Sequence, residues 1–246
     1  MLSRLPLRTQ QIAAHLSAIL PSSCALCGMS GGDTLCPGCR KQFFAPRGAC
    51  CGQCAMPLAG GGESIRCGAC LDNAPAYDAS IAAVDYGAPL DQLVTALKFG
   101  GKLALAPLFA RLMRDALLHA PQAPLPDLLL PVPLGERRLM QRGFNQALEI
   151  ARPLSRALGV RLEAHAVLRL RETDAQSSLH PEQRRKNIRG AFSVAPDFVG
   201  KFDGLHVGLV DDVMTTGETL NELAATLKRF GAARVSNFVF ARTLLK

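Results

Sequence analysis

The sequence predicts an α/β fold with a mostly parallel sheet and flanking helices, preceded by a small cysteine-rich module. Two observations lead to this expectation. All nine cysteines lie between Cys24 and Cys70, which indicates one local module. After Pro75, short apolar runs of strand length alternate with segments of helical spacing, and this alternation is typical of a parallel sheet.

The individual elements follow from apolar spacing and from turn residues. Strands are predicted at 80–86, 127–133, 205–210 and 234–241, and helices at 89–99, 103–118, 147–158 and 216–230. Gly159 and Gly231 are placed to end the last two helices. We expect an N-terminal helix at 1–20, a double cysteine module at 21–74 and the α/β domain at 75–246.

Composition narrows the class of protein. The chain has 246 residues, of which 48% are hydrophobic, and this composition is typical of a globular protein rather than a disordered one. The longest apolar stretches have the length of a strand, which favours a soluble protein without membrane insertion. No export signal is recognisable at the N-terminus, so we expect a cytoplasmic location. The net charge of +8 indicates anionic partners.

The cysteines have the spacing of metal ligands. Four pairs are each separated by two residues: Cys24 and Cys27, Cys36 and Cys39, Cys51 and Cys54, Cys67 and Cys70. In a reducing compartment, such thiolates bind Zn²⁺ more often than they form disulfides. We expect one or two structural zinc ions, with the pairs grouped either in sequence or interleaved. Free buried cysteines are the less favoured alternative, and Cys50 is a spare thiol.

A candidate phosphate site follows the predicted strand at 205–210. Asp211 and Asp212 come at the strand tip and could accept hydrogen bonds from two ribose hydroxyls. The segment Thr215, Thr216, Gly217 and Thr219 then places amides and hydroxyls at the start of a helix, where the helix dipole favours a phosphate. The alternative is an ordinary turn in which an aspartate caps the helix.

Two basic segments, 136–142 and 184–189, are predicted to be loops. The second lies in a long polar stretch at 169–190, and exposed loops of that length are often functional. Because the arginines concentrate in these loops, the sequence predicts a localised anion site. Asn145 and Gln146 either bind ligand or cap the next helix, and capping is at least as favoured for Asn145.

The segment 207–221 (VGLVDDVMTTGETLN) resembles the signature with which type I phosphoribosyltransferases bind phosphoribosyl pyrophosphate (PRPP). Gly208 stands where an aliphatic residue is usual. Together with 130–146, with 171–192 and with the cysteine module, this segment is similar to the competence protein F (ComF) family. In that family a double zinc ribbon precedes a phosphoribosyltransferase-like domain, and members are linked to DNA uptake in natural competence.

The resemblance implies roles for individual residues. PRPP would contact residues of three segments: Asp211, Asp212, Thr215, Thr216, Gly217, Glu218 and Thr219; Leu134 and Gly135; and Lys98. Cations that face the departing pyrophosphate would assist catalysis, and these are Arg137, Arg138, Arg142, Arg171 and Arg185. Mg²⁺ would accompany PRPP, bound largely through water.

Two functions agree with these features. The first is a Mg²⁺-dependent phosphoribosyltransferase with an unknown acceptor. The base of that acceptor would bind in a hood, a covering segment formed by Tyr77 to Tyr86 and its surroundings. The second is a non-catalytic adaptor that senses PRPP or a nucleotide and docks single-stranded DNA or DNA-processing proteins. Direct DNA binding is the weaker form of the second, because the chain has no Trp and only two Tyr for base stacking.

Overall fold

The computed structural model describes residues 22–58, 66–120, 123–171 and 188–244. The chain divides into two compact units, Met1–Ala45 and Pro46–Lys246. The second group of cysteines therefore belongs to the larger unit together with the sheet, whereas the sequence-based domain boundaries remain a prediction. The helix expected at 1–20 lies outside the described residues.

The smaller unit is organised around the first four cysteines. Strands Ser22–Ser23 (β1) and Ser30–Gly31 (β2) pair antiparallel, and helix Pro37–Phe43 (α1) follows. Cys36 caps this helix, because its Sγ accepts a hydrogen bond from the backbone N–H of Cys39.

The larger unit alternates strands and helices along its length. Its strands are Ala79–Tyr86 (β3), Leu128–Pro131 (β4), Arg161–Leu162 (β5), Val167–Arg169 (β6), Phe192–Val194 (β7), His206–Met214 (β8) and Arg234–Thr243 (β9). Its helices are Gly68–Asp72 (α2), Leu90–Lys98 (α3), Ala106–Leu118 (α4), Glu136–Arg142 (α5), Gln146–Leu158 (α6) and Glu218–Arg229 (α7), with 3-10 turns at Leu103–Leu105 and Pro196–Phe198.

A five-stranded sheet in the order β3-β9-β8-β4-β5 forms the centre of the larger unit. All four pairings in it are parallel, so the carboxyl ends of its strands meet at one edge. Helices α4 and α6 pack on the face that carries Phe240, whose ring stacks on that of Phe109 at 3.6 Å. Helix α7 packs on the opposite face with Val239. The predicted α/β class with a parallel sheet is therefore confirmed.

Most predicted elements agree with the structure, and the caps are where the sequence placed them. Gly159 ends α6 in the left-handed region with φ 68°, and Asn145 caps that helix by accepting from the Ala147 N–H at 3.0 Å. Strand β8 extends to Met214, beyond the predicted end at 210. Asp211 and Asp212 therefore belong to the strand itself.

The prediction of a loop at 136–142 is wrong, because these residues form helix α5. The helix buries none of its residues, so it has no apolar stripe that sequence periodicity could reveal. Gly143 ends it in the left-handed region with φ 79°. The antiparallel pair of β6 with β7 was also not expected. Across the described part of the chain, no helix combines the length and the hydropathy needed to cross a membrane.

Gly208 lies at the centre of the sheet, where the resemblance led us to expect an aliphatic side chain. A Cβ at this position would lie 2.7 Å from Leu129 Cδ2, 2.7 Å from Phe238 Cε2 and 2.9 Å from Pro126 Cγ. Neighbouring side chains thus already occupy the space that a larger residue would fill, and glycine is required by packing.

We expect Gly208→Ala to lower the free energy of unfolding by about 1–3 kcal/mol, the usual cost of overpacking a core. Gly48→Ala is the matched control, because a Cβ there meets nothing within 4 Å. Urea denaturation of both variants measures the difference. Equal stability of the two variants would contradict the packing argument.

Candidate functional site

The turn after β8 presents backbone N–H groups at the carboxyl edge of the sheet. Thr215 and Thr216 form this turn, and Gly217 precedes the first residue of α7. Among the described residues, no side chain caps the start of this helix. Because the N–H groups of a first turn have no partner within their helix, and because the helix dipole is positive there, this position favours an anion.

Gly217 is the residue on which the shape of this turn depends. Its φ is 87°, and a Cβ would lie 2.8 Å from Met214 Cε and 2.9 Å from the hydroxyl oxygen of Tyr77. Tyr77 is 3% exposed, and burial raises the pKa of its hydroxyl. The buried Tyr77 side chain therefore packs against the turn at Gly217. The expected role of Tyr77 in a base-binding hood does not agree with this burial.

Asp211 lines a small cleft together with Thr215 and Thr219. Its side chain is half-buried, and its Oδ1 accepts a hydrogen bond from the backbone N–H of Asp212 at 2.9 Å. Burial, and after it the Asp212 carboxylate, raise the pKa of Asp211 well above its ordinary value, although the charge of Lys98 opposes this shift. A hydroxyl donor or a cation that reached the cleft would stabilise the Asp211 carboxylate.

Asp212 is 2% exposed and points into a network of side chains. Lys98 Nζ lies 2.7 Å from its Oδ2, and Gln146 Nε2 lies 3.4 Å from its Oδ1. Arg142 donates in turn to Oε1 of Gln146. Lys98 and Asp212, both expected to contact ligand, thus pair with each other, whereas Asp211 faces the cleft. Gln146 links the network and does not cap α6.

The remaining predicted residues lie in α5, directly before α5, or after β6. Arg137, Arg138 and Arg142 belong to α5. Leu134 and Gly135 precede this helix, and Gly135 is its N-cap. Arg171 is exposed after β6, and Arg185 lies outside the described residues. Sequence reasoning missed Arg169. Its Nη1 lies 3.5 Å from the Pro133 carbonyl oxygen, and its guanidinium carbon lies 5.5 Å from the centroid of the Phe192 ring.

The eight cysteines of the four pairs form two clusters. Cys24, Cys27, Cys36 and Cys39 form the first, and Cys51, Cys54, Cys67 and Cys70 form the second, with all ligand atoms of a cluster within 4.8 Å of one another. The grouping is therefore sequential. Backbone N–H groups point at sulfur in both, as in Cys36 N to Cys24 Sγ at 3.4 Å and Cys67 N to Cys51 Sγ at 3.3 Å. Four thiolates in this arrangement fit a tetrahedral structural zinc site in each cluster.

The second cluster is part of the core of the larger unit. Cys51, Cys54 and Cys70 are 1%, 7% and 5% exposed, and they pack in the same apolar cluster as Tyr77 and Met214. The second cysteine cluster therefore shares its core with Tyr77, the residue that lies against Gly217 of the turn.

Arg242 connects the second cluster to that turn. It is 2% exposed, and its Nε donates to the Cys54 carbonyl at 2.8 Å. Its Nη1 donates to the carbonyls of Met214 at 3.1 Å and Thr243 at 2.7 Å, and also to that of Thr215. All four of these acceptors are backbone carbonyls, so one planar cation fixes the backbone of the turn against the backbone of the cysteine cluster. No motif in the sequence marked Arg242, because Cys54, Met214 and Thr215 lie far from it along the chain.

We expect the purified protein to hold two zinc ions per chain, one for each cluster. Cys54→Ser should remove one zinc ion and lower the thermal midpoint of the larger unit, because its cluster belongs to that unit's core. Cys39→Ser is the control and should also remove one zinc ion, with little effect on the larger unit. Elemental analysis and calorimetry test this, and equal loss of stability in both variants would contradict it.

We expect Arg242→Met to lower the free energy of unfolding by about 3 kcal/mol, because buried carbonyls lose a charged donor. Amide hydrogen exchange in the turn at 214–218 should also accelerate under native conditions. Arg242→Lys keeps the charge but not the fork of donors, so it should recover only part of the stability. Unchanged exchange in the turn would show that Arg242 does not hold it.

Two domain families match this chain. The double zinc ribbon domain matches residues 15–71, and the phosphoribosyl transferase domain matches residues 145–244. The first match spans both cysteine clusters, and the second spans β8, the turn and α7.

Two relatives align over most of their length. The DNA utilization protein YhgH of Salmonella typhi is 36% identical over 231 residues, which cover 92% of this chain and 99% of the relative. Competence protein F of Haemophilus influenzae is 35% identical over 85% of this chain and 90% of the relative. A solved purine phosphoribosyltransferase from Pyrococcus horikoshii is 20% identical over 57% of this chain and 72% of its own, with a TM-score of 0.30. This chain belongs to the ComF/YhgH family, which combines a double zinc ribbon with a phosphoribosyltransferase domain.

Proposed function

We propose that this protein binds PRPP with Mg²⁺ and transfers its phosphoribosyl group to an acceptor. The observation that carries the proposal is the turn at Thr215 to Gly217, where the start of α7 has no side-chain cap among the described residues. A phosphate at this position would be favoured by the helix dipole and by the N–H groups of the first turn. The family's phosphoribosyl transferase domain supports this assignment.

The ribose would lie beside Asp211. This carboxylate faces the cleft that also contains Thr215 and Thr219, so it can accept hydrogen bonds from ribose hydroxyls when the 5-phosphate occupies the turn. Lys98, whose Nζ lies 2.7 Å from Asp212 Oδ2, favours the charged form of Asp211. Carboxylate oxygens next to the turn also suit Mg²⁺, a hard cation that prefers oxygen ligands and would neutralise charge on the pyrophosphate.

The pyrophosphate would face the loop at Leu134 and Gly135 and the arginines of α5. In the reaction, the bond from the anomeric carbon to pyrophosphate breaks, and pyrophosphate leaves with the electron pair. The acceptor forms the new bond to that carbon and gives up its proton. Because negative charge grows on the leaving group, Arg137 and Arg138 would stabilise the transition state more than the bound substrate. Arg171, which is exposed after β6, is proposed to contribute to the same stabilisation.

An adaptor that senses PRPP without turnover is the second candidate. The names of the relatives, DNA utilization protein and competence protein F, describe roles in handling DNA, and the net charge of +8 suits an anionic partner. As an enzyme or as an adaptor, the protein would act in DNA uptake or use. It would do so in the cytoplasm, where reduced thiolates can hold zinc.

We expect Asp211→Asn to weaken Mg²⁺-dependent PRPP binding roughly 10- to 100-fold, because hydrogen bonds from ribose hydroxyls to a charged acceptor contribute about 1.5–3 kcal/mol. Isothermal titration calorimetry measures the change. Asp197→Asn is the control, since Asp197 is exposed and lies outside the site. If the parent protein does not bind PRPP, the proposal fails; if it binds but consumes none with any acceptor, the adaptor is favoured.

The same Asp211→Asn variant should be at least as stable as the parent at neutral pH. The folded-state pKa of Asp211 lies well above 3.8, so the parent loses stability as the pH rises above the pKa of the unfolded chain, and the loss continues up to the folded-state pKa. The variant has no such titration. Its stability advantage in thermal denaturation should therefore increase as the pH rises above the ordinary pKa of an aspartate, and this measurement also shows that lost binding does not reflect unfolding.

A further inference from the structure

We propose that Phe99 and Arg142 form a platform that binds the nucleobase of a nucleotide, next to the proposed PRPP site. The ligand is a planar heteroaromatic ring that carries a phosphate, supplied either as a free nucleotide or as a unit of a single strand. This binding needs neither PRPP nor turnover, so it goes beyond the proposed transfer reaction and can be tested separately.

Phe99 is held outside the core by the turn that ends α3. The backbone N–H of Phe99 donates to the Thr95 carbonyl at 2.8 Å, and the N–H of Lys102 donates to the Ala96 carbonyl at 3.1 Å. A Cβ on Gly100 would lie 2.8 Å from the same Ala96 oxygen, so the turn closes tightly against the helix. The Phe99 ring is 77% exposed as a result, although an aromatic side chain contributes most to stability when buried.

The guanidinium of Arg142 lies over the Phe99 ring. Its guanidinium carbon lies 5.3 Å from the centroid of the Phe99 ring, which is a cation–π contact. The hydrogen bond to Gln146 holds the guanidinium in place, and Gln146 is itself 5% exposed. A flat cation is therefore held over one face of a flat ring, and both kinds of group stack on nucleobases.

The cleft beside the platform has the size and the charge for such a ligand. Its volume is about 230 Å³, and Lys98, Arg138 and Phe144 line it with the platform residues. Sites that enclose a drug-sized ligand usually have about 300–1,000 Å³, so this cleft suits one ring system that stays partly exposed. No carboxylate lines the cleft, and although Lys98 also pairs with Asp212, Arg138 and Arg142 add two further cations, which favours a phosphate on the bound ring.

The absence of tryptophan from the sequence permits a direct test. In Phe99→Trp, the only indole of the chain would lie in the platform, and a stacked base should quench its fluorescence. Deoxyadenosine monophosphate should quench saturably, whereas ribose 5-phosphate, which lacks a base, should not. Leu118→Trp is the control, because Leu118 is 69% exposed at the end of α4 and outside the cleft. Absence of saturable quenching in Phe99→Trp, or equal quenching in both variants, would overturn the proposal.

A second variant tests the ring without adding a fluorophore. Phe99→Leu keeps an apolar side chain but loses the flat surface, so nucleotide affinity in calorimetry should fall roughly 10- to 100-fold. PRPP affinity should stay unchanged, and loss of both affinities, or of neither, would contradict a base platform at Phe99. Titration of Phe99→Trp with single-stranded oligodeoxythymidylate identifies the source of the ligand. If the oligonucleotide binds more tightly than the mononucleotide and its binding weakens with salt, the ligand is a single strand. If only the mononucleotide quenches the fluorescence, the ligand is a free nucleotide.

Discussion

The hydrogen bonds of Arg242 connect the metal-binding part of the larger unit to its candidate ligand site. Its guanidinium spans the carbonyls of Cys54 on one side and of Met214 and Thr215 on the other. A buried cation is costly unless it is paired and hydrogen-bonded, and a zinc ion bound by the four thiolates of the second cluster would supply negative charge nearby. The second cysteine cluster is thus connected to the turn after β8 through Arg242 and through the core that they share.

The two carboxylates at the tip of β8 differ because neighbouring residues of a strand point to opposite faces of a sheet. Asp212 points toward α6 and is compensated by Lys98 and Gln146. Asp211 points toward the turn, where burial and the adjacent carboxylate raise its pKa. Asp212 therefore positions the side chains around it, and Asp211 is the carboxylate that can interact with ligand. Arg142 belongs to this network and also contacts Phe99, so the network extends from Asp212 to the cleft that contains Phe99.

Much of the fold could be predicted because the apolar strands and amphipathic helices carry their own periodicity. Helix α5 was misread as a loop because a helix without buried residues leaves no such pattern. Tyr77 was expected in a hood because the resemblance to phosphoribosyltransferases implies a variable segment that binds the base, yet it packs against Gly217. The predicted basic segment at 184–189 lies outside the described residues.

The sequence by itself determined the parallel sheet, the cysteine pairs and the turn chemistry from Asp211 to Thr219, because each depends on residues close together in the chain. Only the tertiary structure decided that the cysteines group sequentially, that Asp212 pairs with Lys98, and that Arg242 joins the second cluster to the turn. These contacts link residues far apart in sequence, and their existence depends on which strands pair and which faces are buried. No local pattern records that information.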